Sequence, residues 1–191
     1  NSRKEGLAFE NEFYQRRSID VGIRNLNLED EDLIIISDCD EICDPETLQK
    51  IKMEGLDDTN ILRMDMYNYN LECKGAGWFA VKILNYHMYK LNDSDCQKIR
   101  RNPFSKSEKT KIIPRGGWHF SYFGDVEFIK NKIRNFSHQG YNSPKYLDND
   151  AIKTAIDDMS DLYGREGLPE LTEVAIEAND YLPKHYRLLL E

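Results

Sequence analysis

Leu33-Ile34-Ile35-Ile36, an unbroken apolar run followed at once by Ser37-Asp38-Cys39-Asp40-Glu41, limits this chain more than any other stretch. A short β-branched run bounded by acids predicts a strand buried on both faces of a parallel sheet. Three carboxylates placed directly after it, at Asp38, Asp40 and Glu41, would lie at the strand's carboxyl end. That end is where open α/β sheets bind their ligands.

The surrounding pattern extends the α/β reading. Phe9, Phe13, Ile19 and Ile23 recur at near-helical spacing and predict a helix over 9–25, with Arg16 and Arg17 on it. Asp44-Pro45-Glu46 reads as a helix start running to about Met53: an N-cap, a proline in the first turn, and an acid at the positive end of the dipole. Strands are expected at 61–69 and 80–89, a long polar loop at 92–110, and a strand entry at 111–114. The segment Gly116-Gly117-Trp118-His119-Phe120-Ser121-Tyr122-Phe123-Gly124 reads as an aromatic, glycine-rich turn. It leads into a helix carrying Val126, Ile129, Ile133 and Phe136, and then a second with Ile152, Ala155, Ile156, Met159 and Leu162. The apolar tail 181–190 is expected to pack back on the domain. One domain with strands and helices in alternation is α/β.

Composition narrows the function classes. With 191 residues and 40% hydrophobic content, the chain can bury a core without staples. The formal net charge of −8 disfavours nucleic acid, which needs a broad basic face. No run of about 20 apolar residues occurs, so no membrane span is expected. Cys39, Cys43, Cys73 and Cys96 lack zinc-site spacing and are expected as free thiols. Asn92 and Asn135 open formal glycosylation sequons, a short pattern that arises often by chance.

Carboxylates as close as Asp38 and Asp40 raise one another's pKa unless a cation neutralises them. Mg²⁺ or Mn²⁺ binds through one or two carboxylates, substrate phosphates and water. A solvated turn capping the next helix explains the same residues. Two enzyme classes share the feature: nucleotide-sugar transferases, and haloacid-dehalogenase-like phosphatases. The phosphatase pattern wants Thr or Val where Ile42 stands, and a later Gly-Asp-x-x-x-Asp. Gly124-Asp125 is followed by Glu127 and Lys130 instead, which disfavours the phosphohydrolase.

Three blocks in order resemble glycosyltransferase family 17, typified by an N-acetylglucosaminyltransferase acting on mannosyl-glycoproteins. Glu12-Phe13-Tyr14-Gln15-Arg16 is similar to that family's Arg-Glu-x-x-Gln-Arg helix, with Asn11 where Arg is usual. Leu33 to Ile42 resembles its strand and Asp-x-Asp-Glu-Ile motif, with Cys43 replacing Pro. Gly116 to Ser121 resembles its Gly-Trp-His-x-Ser block, and Phe136-Ser137-His138-Gln139 and Leu182-Pro183-x-x-Tyr186 also fit.

The resemblance implies a GT-A-like, Rossmann-related fold with a mixed, mostly parallel sheet flanked by helices. Family members place a strand and helix before the Gln-Arg helix, so this chain is expected to lack that first pair. It further implies a UDP-sugar donor carrying N-acetylglucosamine, a glycan or glycoprotein acceptor, Mn²⁺ or Mg²⁺, and inversion at the anomeric carbon. Asp40 would be the direct metal ligand, and Asp38 would contact the ribose or a metal-bound water. His119 could complete the metal shell or be a satisfied core histidine. Gln15, Arg16 and Arg17 would face the donor, the arginines matching the diphosphate, although a solvated helix face explains them equally. Trp118, with Trp78 and Tyr122, offers apolar platforms for sugar rings, and aromatic core packing is the plainer account. Inverting transfer needs a general base; Asp125 and Glu127 are the candidates, though capping the helix that follows explains both. A carbohydrate-binding remnant without catalysis is the alternative outside enzymes.

Overall fold

The computed structural model describes residues 2–56, 59–101, 110–167 and 169–190. It is α/β, with a mixed sheet and helices. The chain divides into two compact units. The first comprises 15–65, 77–119 and 181–191; the second comprises 1–14, 66–76 and 120–180. Helix α1 (Ser2–Ile23), strand β3 (Thr59–Asn68) and strand β6 (Thr110–Ser121) each run from one unit into the other.

In the first unit, β1 (Leu33–Ile36) pairs antiparallel with β5 (Lys82–Asn85), setting Leu33 opposite Asn85 and Ile36 opposite Lys82. β5 also pairs antiparallel with β3, Ile61 opposite Lys82. β2 (Glu41–Cys43) lies antiparallel to β6, Glu41 opposite His119 and Cys43 opposite Gly117. β6 pairs β3 as well. Gly116 abuts Leu62 and the Tyr69 N–H meets the Ser121 carbonyl, so those two strands run the same way.

The sheet is therefore mixed, but the mostly parallel pairing expected from the apolar run is not what it shows. The physical reason lies in β1 itself. Among the described residues it is an edge strand, with Leu33 37% and Ile35 39% exposed, whereas a parallel strand must be covered on both faces.

Helix α2 (Pro45–Glu54) starts as read, with the Asp44 carboxylate accepting from the Glu46 N–H at 3.1 Å. The expected strand at 80–89 is corrected. Asn85 ends it by accepting the Met88 N–H at 2.8 Å, capping a short helix α3 (Tyr86–Leu91). The expected loop 92–110 is corrected too, since it holds helix α4 (Cys96–Arg101); residues 102–109 of that stretch lie outside the described ones.

Gly116 and Gly117 sit not in a turn but inside β6. A Cβ on Gly117, at φ +138°, would lie 2.1 Å from the Ile42 carbonyl oxygen, and one on Gly116 2.6 Å from Leu62 Cβ. Only glycine lets the strands close here. Two apolar clusters fill this unit. Ile51, Leu62, Met64, Val81 and Ile83 form one; Ile36, Leu84, Tyr89, Cys96 and Ile99 form the other.

The second unit holds β4 (Cys73–Lys74) between the end of β3 and β7 (Thr172–Glu173), both antiparallel. Helices α5 (Val126–Asn135) and α6 (Asn149–Asp157) supply its core. Ile129, Ile133 and Ile152 are fully buried there among Tyr69, Cys73 and Tyr163. Met159 and Leu162, expected on the second helix, follow its end yet pack on the same cluster. All four cysteines are free thiols. Among the described residues, no helix is long and apolar enough to cross a membrane.

Candidate active site

The acidic turn after β1 belongs to the first unit, as do all the side chains that meet it. It closes on itself first. The Glu41 N–H donates to the Asp38 carbonyl at 3.1 Å, and the Asp38 N–H donates to Glu41 Oε2 at 2.6 Å. Glu41 then points inward, its side chain 1% exposed.

A carboxylate this deep is tolerated only when charge and hydrogen bonds satisfy it. Arg100, from α4, donates to Glu41 Oε2 at 2.8 Å and to Oε1 at 2.6 Å. The Trp78 indole N–H also donates to Oε1. Burial opposes the Glu41 charge, but the Arg100 guanidinium, the Asp38 N–H and the Trp78 N–H offset it and hold this carboxyl below its ordinary range. Burial likewise works against the Arg100 charge, and Glu41, Asp38 and Asp40 more than restore it.

The same guanidinium reaches Asp38, Arg100 Nη2 to Oδ2 at 2.7 Å. From α1, Arg16 Nη2 donates to both Asp38 oxygens at 3.1 and 3.0 Å, while its Nη1 donates to Gln97 at 2.9 Å. Both oxygens of Asp38 are thus taken by guanidinium groups, although the side chain remains 38% exposed. A third cation, this one buried, stands near. Lys82 is 1% exposed, and its ammonium donates to the carbonyls of Phe79 and Ala80 at 2.7 and 3.1 Å. Burial, aided by the Arg100 charge, pushes its pKa down to about 8 against the opposing pull of Glu41.

Asp40 is held differently. Its side chain is 28% exposed, with His119 Nε2 3.6 Å from Oδ2. His119 is 7% exposed, lies against Trp78 with ring centroids 4.4 Å apart, and its Nδ1 has no hydrogen-bond partner among the described residues. Among the described residues, no three His, Cys, Asp or Glu side chains form a cage for a metal. A cation here would take the Asp40 carboxylate, with His119 beside it, and draw its remaining ligands as oxygens from substrate and water; that oxygen-rich set suits Mg²⁺ or Mn²⁺.

The other expected residues are placed as follows. Gln15 is exposed on α1, and Arg17, 62% exposed, pairs with Asp95 at 3.2 Å. Trp118, expected as a donor contact, is placed inside the unit. It is 4% exposed, lies 4.8 Å from the Tyr181 ring, and donates its N–H to the Tyr181 carbonyl at 3.1 Å. The tail thus packs back through Tyr181, whose hydroxyl meets Asp44 and the Arg115 carbonyl; Leu188, Leu189 and Leu190 stay exposed.

Asp125 and Glu127 belong to the second unit. Asp125 caps α5 by accepting the Phe128 N–H at 2.8 Å, and Glu127, 71% exposed, pairs with Lys130. His138 serves packing against Phe9, centroids 4.9 Å apart.

Arg100, Gln97 and Lys82 were missed by sequence reasoning, which named Glu41 in the acidic turn without its inward role. Arg100 and Gln97 sat in a stretch read as loop, and a lone lysine in an apolar strand carries no spacing signal.

The family model for glycosyltransferase family 17 matches residues 1–174. No curated protein and no solved structure matches the chain. The matched span takes in α1 with Arg16, the acidic turn, Arg100 and His119. The chain therefore belongs to glycosyltransferase family 17, whose enzymes move a sugar from a donor to a glycan acceptor.

Proposed function

We propose that this chain is an inverting, metal-dependent transferase of GT-A type that passes N-acetylglucosamine from UDP to a glycan or glycoprotein acceptor. One observation carries this reading: in the turn after β1, Glu41 is turned inward and Asp38 is clasped by two arginines, while Asp40 lies part-exposed beside His119. Asp40, with His119 beside it, would hold Mn²⁺ or Mg²⁺ together with the donor's phosphates and water. Held there, the cation would supply neutralising charge for the leaving diphosphate.

Arg16 and Arg17 lie on the donor side of this reading with Gln15, where guanidinium geometry suits phosphate oxygens. Asp38, fixed by Arg16 and Arg100, faces the ribose or a water on the metal. Removal of the acceptor hydroxyl proton falls to Asp125, with Glu127 as the alternative base.

Calorimetric titration of UDP and UDP-N-acetylglucosamine, with and without Mn²⁺, tests this. Binding that requires the metal and disappears in Asp40→Ala, with thermal unfolding unchanged, is expected. A folded wild-type chain that binds neither ligand in Mn²⁺ would overturn the donor assignment.

A further inference from the structure

We propose that Arg100 is a positioning residue: locked by Glu41, its guanidinium holds the Asp38 carboxylate and so sets the Asp38–Glu41 turn in the conformation that receives the cation and diphosphate. The inference rests on the metal-dependent reading above.

Three features assign this role. The first is saturation. Glu41 accepts from Arg100 and Trp78 at Oε1, and from Arg100 and the Asp38 N–H at Oε2. No acceptor direction remains for a metal ion, so Glu41 works as an anchor. The second is bridging. Arg100 Nη2 serves Glu41 and Asp38 together, at 2.6 and 2.7 Å. The planar fork grips both Glu41 oxygens through two nitrogens while Nη2 also reaches Asp38, a geometry that one ammonium nitrogen does not reproduce. The third is burial. The Arg100 side chain is 7% exposed and that of Glu41 1%, so the bridge has little room to move, whereas Asp38 and Asp40 remain accessible at 38% and 28%. Rigid support behind accessible ligands is what a metal site requires of its outer groups.

The experiment measures the Mn²⁺ dependence of UDP binding by calorimetry, at a temperature well below each variant's unfolding midpoint. It compares wild type with Arg100→Lys, Glu41→Gln and Trp78→Phe. Arg100→Lys keeps the charge and loses the two-nitrogen fork, and it is expected to weaken Mn²⁺-dependent UDP binding about tenfold to a hundredfold. Trp78→Phe keeps the ring and removes one hydrogen bond to Glu41; a loss of about threefold to tenfold is expected. It also keeps the question answerable if Arg100→Lys does not fold.

Folded variants that unfold at lower temperature yet bind UDP as wild type does, with the same Mn²⁺ requirement, would overturn the positioning role and leave only a structural one. Wild type that binds no UDP in Mn²⁺ would overturn the reading beneath it instead, so the two failures are told apart.

Discussion

Asp38-Cys39-Asp40-Glu41 and Asp125-Val126-Glu127 look alike in sequence: short acidic clusters ahead of a regular element. Their surroundings make them different objects. In the first, Glu41 is 1% exposed and satisfied by a buried arginine, and Asp38 is gripped by two. In the second, Asp125 is a solvated N-cap and Glu127 is 71% exposed. The difference teaches that a carboxylate's role follows from which cations the fold brings to it. The first cluster draws its partners from α1 and from α4, Arg100 standing 59 positions from Glu41; the second needs only its own helix.

The sharpest way to break that contrast is Asp125→Asn. Asparagine caps as well as aspartate does, so stability should hold while a lost base lowers kcat by about 10²–10⁴. Steady-state kinetics beside thermal unfolding decides it: an unchanged kcat would leave Asp125 as a cap and nothing more.

Arg100→Met should cost about 3–5 kcal/mol of stability, because Glu41 is left buried without its counter-ion. Denaturant titration would measure it, and a loss under 1 kcal/mol would mean that Glu41 escapes to solvent or protonates at little cost.

A pH series separates the buried cation Lys82 from the buried acid Glu41. Lys82 has a folded pKa of about 8, below its unfolded value of 10.5. From pH 8 to 10.5 the unfolded chain binds more protons, so this group's contribution makes stability rise with pH. The rise amounts to up to about 3 kcal/mol. The difference between wild type and Lys82→Met across that range isolates it. Glu41 acts at the other end. Its folded pKa is lowered, so its stabilisation is full above the unfolded carboxyl value of about 4.3. That contribution is lost as pH falls through the folded value, and Glu41→Gln should flatten the acid limb.

Asp125→Ala is expected to be the mildest, costing about 1 kcal/mol through the lost cap. Equilibrium unfolding checks it; a larger loss would show that the second cluster is more deeply tied into its unit than the α5 cap implies.

Local signals were legible wherever a few neighbouring residues decide the outcome. Asp44-Pro45-Glu46 starts α2 because cap, proline and dipole act within one turn. The α5 stripe of Ile129 and Ile133 is buried because helical spacing aligns it. Errors came where a local pattern has two tertiary solutions. An apolar run of four suits a central parallel strand or an edge strand, and Gly116-Gly117 suits a turn or a close crossing of strands. Asn85 closes a strand and opens a helix only because its side chain finds the Met88 N–H.

By itself the sequence determined the acidic turn, the starts of α2 and α5, the apolar stripes and the family to which the chain belongs, since each rests on residues close together or on blocks in fixed order. Only the tertiary structure decided which carboxylates are spoken for. Coulomb energy and desolvation depend on distance and burial in space. The pairing of Asp38 with Arg16, and of Glu41 with Arg100, joins residues 22 and 59 positions apart.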